Sequence, residues 1–401
     1  MAGKSTDLYD GPKSELKWPV YFWASQSVHN TAPQKLNVPS PIPPHAAVTM
    51  TMESLTANAG YSARDKVWGF RERISGANDY IHPMWDDRLK SMALISGNAT
   101  NAYYLPNKAT GANTGLTSAN WNQRIYGYWT DRANSNGSPI APRVKRDALN
   151  SPAVRILHRK WIGPWEPLSA LPQIRSYELK NFGHSEEPAV VELWLRCISS
   201  DGTFQTDDEI CPYPDDIGTG TAGIPVWHKD SVVGFTLPSG TLGIVGLDNA
   251  IFDLNPSKWH VQLRVAFAAQ PEDMLDGKQG GRGIVAMHYT RWKKLAQGQT
   301  YKTMLPQNFN PISVFSSVRC AVGSSSTGNA YNQNDQYYSR SAGYAGYALF
   351  PTIIMRGRQL LVPLASSNVQ FMDKAGVGGG AAGVDRQCDV GEEGCAGTGR
   401  R

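Results

Sequence analysis

The chain has 401 residues, of which 41% are hydrophobic and 10% aromatic. That is enough apolar material for a packed core, and it excludes disorder over most of the length. Charged residues make up only 18%, and a net charge of +5 makes the protein mildly basic. The composition therefore favours a folded protein whose polar, weakly charged surface is covered by copies of itself or by polar ligands.

Residues 1–45 are rich in proline and lack periodicity, so they are predicted to form an extended N-terminal arm. We expect the aromatic side chains Trp18, Tyr21, Phe22 and Trp23 to dock on a folded surface, because exposed rings are costly in water. No apolar run follows a basic start and no segment is long enough to span a membrane. A soluble product of a reducing compartment is expected.

Residues 46–371 are predicted to form an all-β body, because apolar and polar residues alternate along many short segments. The clearest alternation runs from Trp259 to Phe267 and predicts one buried face and one wet face, the latter carrying His260, Gln262 and Arg264. About ten strands would suffice for a two-sheet sandwich. The further candidates start near Val48 and lie at 122–129, 153–162, 173–181, 189–198, 231–237, 283–291, 312–320 and 344–364.

Three stretches of the chain are predicted to lie outside the regular β structure. Residues 199–226 and 321–346 are rich in Asn, Gly, Ser, Thr, Asp and Tyr, so we interpret them as surface loops or a projecting insertion. Residues 372–401 are rich in glycine and predicted to form a flexible tail. The five cysteines are odd in number and lack metal-ligand spacing, which predicts free thiols at Cys197, Cys211, Cys320, Cys388 and Cys395.

Basic residues cluster in two places that could meet a polyanion such as nucleic acid. Strand alternation would place Arg155 and Arg159 on one face and Lys160 on the other. An aromatic ring in the second cluster, Trp292, could stack on a base. A solvated edge protected by charge explains either cluster equally well. The candidate nucleic-acid contacts are Arg143, Lys145, Arg146, Arg155, Arg159, Lys160, Arg291, Trp292, Lys293 and Lys294.

No motif predicts a metal site, a cofactor or catalysis. The acidic residues Asp207, Asp208, Glu209, Asp215 and Asp216 match no EF-hand spacing, so a solvated acidic loop is favoured over a calcium site.

Histidines were considered as catalytic bases. Residues 183–187 collect a histidine, a serine and two glutamates in immediate succession, where strand alternation turns neighbours apart. His82 and His228 lie near aspartates without a more specific pattern. The chain is therefore not expected to be an enzyme.

The aromatic side chains allow two interpretations. Five tryptophans could form a sugar-stacking platform, but in a large β protein such residues more often fill the core or subunit interfaces. They are Trp121, Trp129, Trp161, Trp165 and Trp194.

The Pro-rich arm, the all-β body with long polar loops, the basic patches and the glycine tail together resemble capsid proteins of small icosahedral viruses. The chain is most similar to those of the single-stranded DNA viruses of diatoms, the bacilladnaviruses, whose shells resemble those of nodaviruses and tombusviruses. The segments that support this best are Trp259–Phe267 and Tyr344–Leu364. The resemblance implies a jelly roll of eight strands in two four-stranded sheets, assembled in many copies around a genome.

The same resemblance implies a location in the virion, synthesis in the host cytoplasm or nucleus, no membrane partner, and DNA rather than RNA inside. An Arg-rich arm is common in such proteins, whereas the only cations of residues 1–44 are Lys4, Lys13, Lys17 and Lys35. Two alternatives remain open: a carbohydrate-binding or carbohydrate-processing β-sandwich, and a viral fibre. The fibre lacks repeats, and the sugar-binding protein lacks a secretion signal.

Overall fold

The structure is a computed structural model of the chain. For some strand residues it describes the backbone alone. It describes residues 20–27, 34–43, 46–68, 71–72, 81–96, 103–129, 154–211, 224–248, 251–269, 286–288, 293–294, 300–305, 309–315, 317–320, 332, 335–338, 353–363, 388–391 and 395–399.

The described part of the chain is built from strands, short 3₁₀ turns and loops, and it contains no α-helix. No helix in these ranges is long and apolar enough to cross a membrane. The 3₁₀ turns are Ser118–Asn120, Leu168–Ala170, Leu179–Phe182 and Pro256–Lys258. The strands are β1 (Tyr21–Ala24), β2 (Gln34–Val38), β3 (Ala47–Ser54), β4 (Lys66–Trp68), β5 (Arg71–Glu72), β6 (Ile81–Asp86), β7 (Ser91–Ser96), β8 (Tyr103–Pro106), β9 (Asn113–Leu116), β10 (Trp121–Trp129), β11 (Val154–Ile162), β12 (Glu166–Pro167), β13 (Ile174–Glu178), β14 (Pro188–Cys197), β15 (Asp208–Cys211), β16 (Val226–Lys229), β17 (Val232–Thr236), β18 (Gly243–Val245), β19 (Ile251–Asp253), β20 (Trp259–Ala269), β21 (Ala286–His288), β22 (Lys293–Lys294), β23 (Thr300–Met304), β24 (Phe309–Val314), β25 (Ser317–Cys320), β26 (Gln336–Tyr338), β27 (Ile353–Arg356), β28 (Gln359–Pro363), β29 (Cys388–Gly391) and β30 (Cys395–Gly399).

One antiparallel sheet dominates the described structure. Its strand order is β13-β17-β16-β4-β3-β10-β1-β11-β20-β14-β15-β27-β28-β23, with β12 added on β20. A smaller sheet runs β2-β7-β6-β26-β25-β29-β22, and a further sheet joins β21, β30 and β24. The predicted all-β class is therefore confirmed.

The large sheet curls, so that strands far apart in its order share one core. Phe235 on β17, Tyr126 on β10, Leu263 on β20 and Ile354 on β27 belong to the same buried cluster. The inner face of the curled sheet is this cluster. The sheet thus forms two halves that pack against each other across an apolar interior, one built around β3, β4 and β10 and the other around β11, β20 and β14.

A side-chain contact joins β13, the first strand in the order of the large sheet, to β12, which pairs with the central strand β20. Glu166 lies on β12, which pairs with β20, and its carboxylate accepts hydrogen bonds from Arg175 and Tyr177 of β13. Arg175 Nε is 2.9 Å from Glu166 Oε2. Burial alone would raise the pKa of Glu166, but the hydrogen bonds outweigh it and hold that pKa below its usual value. An ion pair therefore fastens β13 to β12.

The outer face of the large sheet is also covered. Over β3 and β10 lies a second cluster, which includes Met52 and Ile125 of these strands and Leu94 of the smaller sheet. Over β14 and β27 lies a third cluster, which joins Trp194 to Phe309 of β24. Both faces of the sheet are thus buried along most of its width.

This double burial corrects the prediction of a wet face on β20. Gln262 and Arg264 are 6% and 2% exposed, and His260 is half-buried. The reason is that β24 and its neighbours lie over the face that alternation alone would leave to water. The polar side chains Gln262 and Arg264 of β20 therefore lie beneath β24 and not in water.

Four predicted irregular segments contain strands. In the predicted loop 321–346, residues Gln336–Tyr338 form β26, which pairs with β25 and β6. Residues 208–211 of the predicted loop 199–226 form β15, in the large sheet between β14 and β27. Tyr21–Ala24 of the predicted arm forms β1, paired with β10 on one side and β11 on the other. In the predicted tail, β29 and β30 pair with β25 and β24. Cys197 and Cys211 are buried free thiols, as predicted.

Candidate functional site

Only part of the predicted nucleic-acid surface lies within the described residues. Arg143, Lys145, Arg146, Arg291 and Trp292 lie outside them. The backbone of Lys293 and Lys294 forms β22, which pairs with β29.

The other three candidates, Arg155, Arg159 and Lys160, lie on β11. The strand carries a register shift between Leu157 and Arg159, where the extra residue is His158. Arg155 lies opposite Phe22, Arg159 opposite Phe267 and Lys160 opposite Ala266. The side chains of Arg159 and Lys160 therefore point to opposite faces, whereas the register shift interrupts the alternation that would place Arg155 and Arg159 on one face.

The three cations on β11 differ in their surroundings. Arg159 Nη1 donates to Glu186 Oε1 at 3.1 Å. Burial lowers the pKa of Lys160. Arg155 is half-buried and has no ion-pair partner among the described residues. The strand therefore offers one uncommitted guanidinium rather than a continuous basic face.

The segment 183–187, here called the strap, lies between the two halves of the large sheet. Glu186 is bound by Arg159 of β11, and Glu187 forms an ion pair with Lys66 of β4. The strap follows a 3₁₀ turn closed by Gly183 in the left-handed conformation, at φ 81°, which glycine adopts without strain. Two adjacent carboxylates thus connect strands that no backbone ladder joins.

Three imidazoles lie at the strap: that of His184 belongs to it, and those of His158 and His228 lie on neighbouring strands. His158 Nε2 is 4.0 Å from Glu186 Oε1, and the ring of His184 stacks on Phe267 at 4.5 Å. His228 is fully buried opposite Lys66, and neither of its ring nitrogens has a hydrogen-bond partner. Burial lowers the pKa of His184, and burial together with Lys66 lowers that of His228 well below its usual value.

These contacts describe the surroundings of two of the histidines that were weighed as catalytic bases. His184 stacks on a phenyl ring and His228 has no partner, so neither is hydrogen-bonded to a nucleophile. The side chain of His82 lies outside the described residues.

A second charged group, here called the Arg264 network, lies under β24. Arg264 donates through Nη2 to Glu209 at 2.7 Å, through Nε to Gln262 at 2.8 Å and through Nη1 to the Pro311 carbonyl at 2.7 Å. Glu209 also accepts from Arg196, its cross-strand neighbour, at 2.7 Å. Each guanidinium nitrogen of Arg264 therefore has a partner, on three different segments.

The Arg264 network fixes β24 face-on against the large sheet. Three consecutive residues of β24 are held: Pro311 by Arg264, Ile312 by Trp194 Nε1 at 2.8 Å, and Ser313 by a hydrogen bond to Glu192. No backbone ladder joins β24 to that sheet in the described structure. Side chains thus replace the ladder as its attachment.

The predicted acidic loop is solvated at Asp207, which is exposed, but not at the two residues that follow it. Asp208 is fully buried in a two-point ion pair with Arg356, at 2.6 and 2.7 Å. Glu209 belongs to the Arg264 network. No group of three potential metal ligands occurs among the described residues. Asp215 and Asp216 lie outside them. The prediction of a solvated loop is therefore wrong for Asp208 and Glu209, whose cationic partners lie on other strands.

The tryptophans fill the core, as favoured over a sugar platform. Trp121, Trp129 and Trp194 are fully buried, and Trp161 is 7% exposed. Trp165 is half-buried beneath the guanidinium of Arg196, 4.4 Å from its ring. None of these rings is open for stacking on a sugar.

Sequence reasoning missed both charged groups. Lys66 carries no signal in its own neighbourhood, because its partner Glu187 comes from a distant segment. Arg264 carries one weak signal, a charge at the centre of the strand with the clearest alternation. A charged residue within such a strand indicates a buried partner, because charged side chains are rarely buried unpaired.

The comparisons with known proteins leave the family of the chain open. No family model matches the sequence, and neither a curated protein nor a solved structure matches it significantly.

Proposed function

We propose that the chain is a structural capsid protein, without enzymatic activity, that assembles with many copies of itself into an icosahedral shell around a viral genome. Within this proposal the curled sheet is the jelly-roll sandwich of the shell, and the genome is DNA rather than RNA. The host receptor is left open, and the destination of the protein is the virion.

One observation carries the proposal: among the described strands, the last one of the large sheet has a neighbour on one side alone. β23 pairs with β28 on one side and with no other described strand. Its Met304 is 57% exposed, and Lys302 is exposed beside it. Monomeric proteins cover or block such edges, whereas an assembling subunit can use them to meet a neighbour.

The charged residues support the same proposal. Three carboxylates that were considered as metal ligands or catalytic groups are bound by cations, namely Asp208, Glu209 and Glu186. Such pairs suit a subunit that holds its shape. Arg155, with no ion-pair partner in the described ranges, is the candidate on β11 best able to reach a phosphate.

The test is assembly of the purified full chain, measured by light scattering and negative-stain electron microscopy. We expect closed, uniform particles whose ultraviolet absorbance reports packaged nucleic acid. Met304→Lys should leave the circular dichroism unchanged and reduce the particles to small oligomers, because it adds a second positive charge beside Lys302 and the two together oppose pairing of this edge.

The matched control is Leu89→Lys, which places the same charge at a residue 52% exposed in the β6–β7 turn and should still assemble. A wild-type chain that stays monomeric would overturn the capsid proposal. If Met304→Lys and Leu89→Lys behave alike, the β23 edge is not the contact.

A further inference from the structure

The strap is the only described ion-paired segment that holds β4 and β11 at the same time. Lys66 reaches Glu187 from one half of the sheet, and Arg159 reaches Glu186 from the other. The two carboxylates are adjacent in sequence, so neither ion pair can shift far without disturbing the other. The contact between the halves at this end of the interior therefore depends on charge.

His184 faces Glu186, which opposes the lowering of its pKa, and Arg159, which adds to it. Further charges surround Lys66, the cross-strand neighbour of His228. Around Lys66 lie Glu53 of β3, Arg124 of β10 and the exposed pair Arg64–Asp230. Glu53 Oε2 is 3.1 Å from Arg124 Nε.

The carboxylates at this end are thus already bound by cations. His228 lies opposite Lys66 in register, with no described carboxylate hydrogen-bonded to its ring. A proton gained by His228 would place a second buried positive charge beside Lys66.

We propose that the strap is a proton-sensitive latch, closed while the rings of His228 and His184 are neutral and opened when these two rings take up protons in mildly acidic solution. Opening would release Glu186 and Glu187 and expose the polar end of the sheet interior. The latch lies within one chain, so it holds whether or not the protein forms a shell.

The direction of the pH dependence follows from the lowered pKa values of the two histidines. In the unfolded chain a histidine titrates near pH 6.5, whereas the folded chain binds the proton only at lower pH. The stability is therefore complete above about pH 6.5 and is lost as the pH falls from there towards the folded pKa. For His228 alone, the unfolding constant should rise about tenfold at pH 5.5.

The experiment measures the unfolding constant of the full chain in urea at about pH 7.5 and about pH 5.5. We expect His228→Leu to reduce the ratio of the two constants about tenfold. The control is His260→Gln, on β20 seven positions from Phe267 and roughly 23 Å away. It should leave the ratio unchanged. Equal ratios in His228→Leu and the wild type would overturn the proposal.

A second measurement keeps the proposal testable where His228→Leu does not fold. Hydrogen exchange of the wild type at about pH 5.5 should show loss of protection in β4 and the strap before β20 opens. His184→Gln, at a half-buried position, should delay that loss to lower pH. Uniform loss of protection over β4 and β20 would show global unfolding and would rule out a latch.

Discussion

The Arg264 network and the strap are both charged, yet they differ in how fully their polar atoms are satisfied. Arg264 is 2% exposed and each of its guanidinium nitrogens has a partner. In the strap, the Glu187 side chain is 45% exposed, and the buried ring of His228 has no partner. The first arrangement fixes one geometry, whereas the second leaves its geometry dependent on protonation.

The difference indicates which of the two charged groups can rearrange at a low cost in free energy. A buried and fully bonded charge is costly to disturb, because removing one partner strands the other in a medium of low polarity. A half-exposed ion pair loses little when broken, since water replaces the partner. Three substitutions test this contrast, from the largest expected effect to the smallest.

Arg264→Met should reduce the free energy of unfolding by about 3–5 kcal/mol, because the buried Pro311 carbonyl and Gln262 would lose their donor and Glu209 one of its two cations. Urea denaturation monitored by tryptophan fluorescence measures the change. Adding Glu209→Gln should recover part of the loss. The control Arg88→Met, at an exposed turn, should change stability by less than about 0.5 kcal/mol.

A loss at Arg264 no larger than that at Arg88 would mean that the Arg264 network contributes nothing to holding β24. The Arg264 network would then be no more costly to disturb than the strap, and the contrast between them would be wrong.

Trp194→Phe should cost about 1–3 kcal/mol, because it leaves the buried Ile312 carbonyl without its donor. Trp129→Phe is the matched control: its indole is also fully buried, but its Nε1 has no hydrogen-bond partner. Differential scanning calorimetry of both variants separates the lost hydrogen bond from the lost volume. Equal losses would mean that the Trp194 bond contributes no stability of its own.

Glu187→Gln should cost less than about 1 kcal/mol at neutral pH, because the Glu187 side chain is already half in water. The same denaturation assay measures it, with salt titration as the control. Added salt should weaken the wild type slightly and leave the variant unchanged. A cost as large as that of Arg264→Met would contradict the distinction between the two charged groups.

Alternation alone predicted several strands of the large sheet, including β10, β11 and β20, with boundaries close to those observed. It could not predict the cover on the second face of β20, because alternation reports polarity and not what lies above it. Arg264 looks solvent-facing in sequence, and its partners Glu209 and Pro311 lie on other segments.

Long-range partners also explain the missed elements. Asp208 and Glu209 suggested an acidic loop, since Arg356 and Arg196 are not near them in the chain. β1 was hidden by the prolines around it. The strap residues gave a local pattern, but their meaning depends on Lys66 and Arg159, which only folding brings to them.

The position of β1 has a consequence for the order in which the molecule folds. Tyr21–Ala24 lies between β10 and β11, and β2 to β9 are synthesised before either neighbour exists. This strand is therefore synthesised long before either of the strands that it pairs with. Such non-local pairing predicts slow folding, with the apolar ring of Phe22 exposed until the centre of the sheet closes.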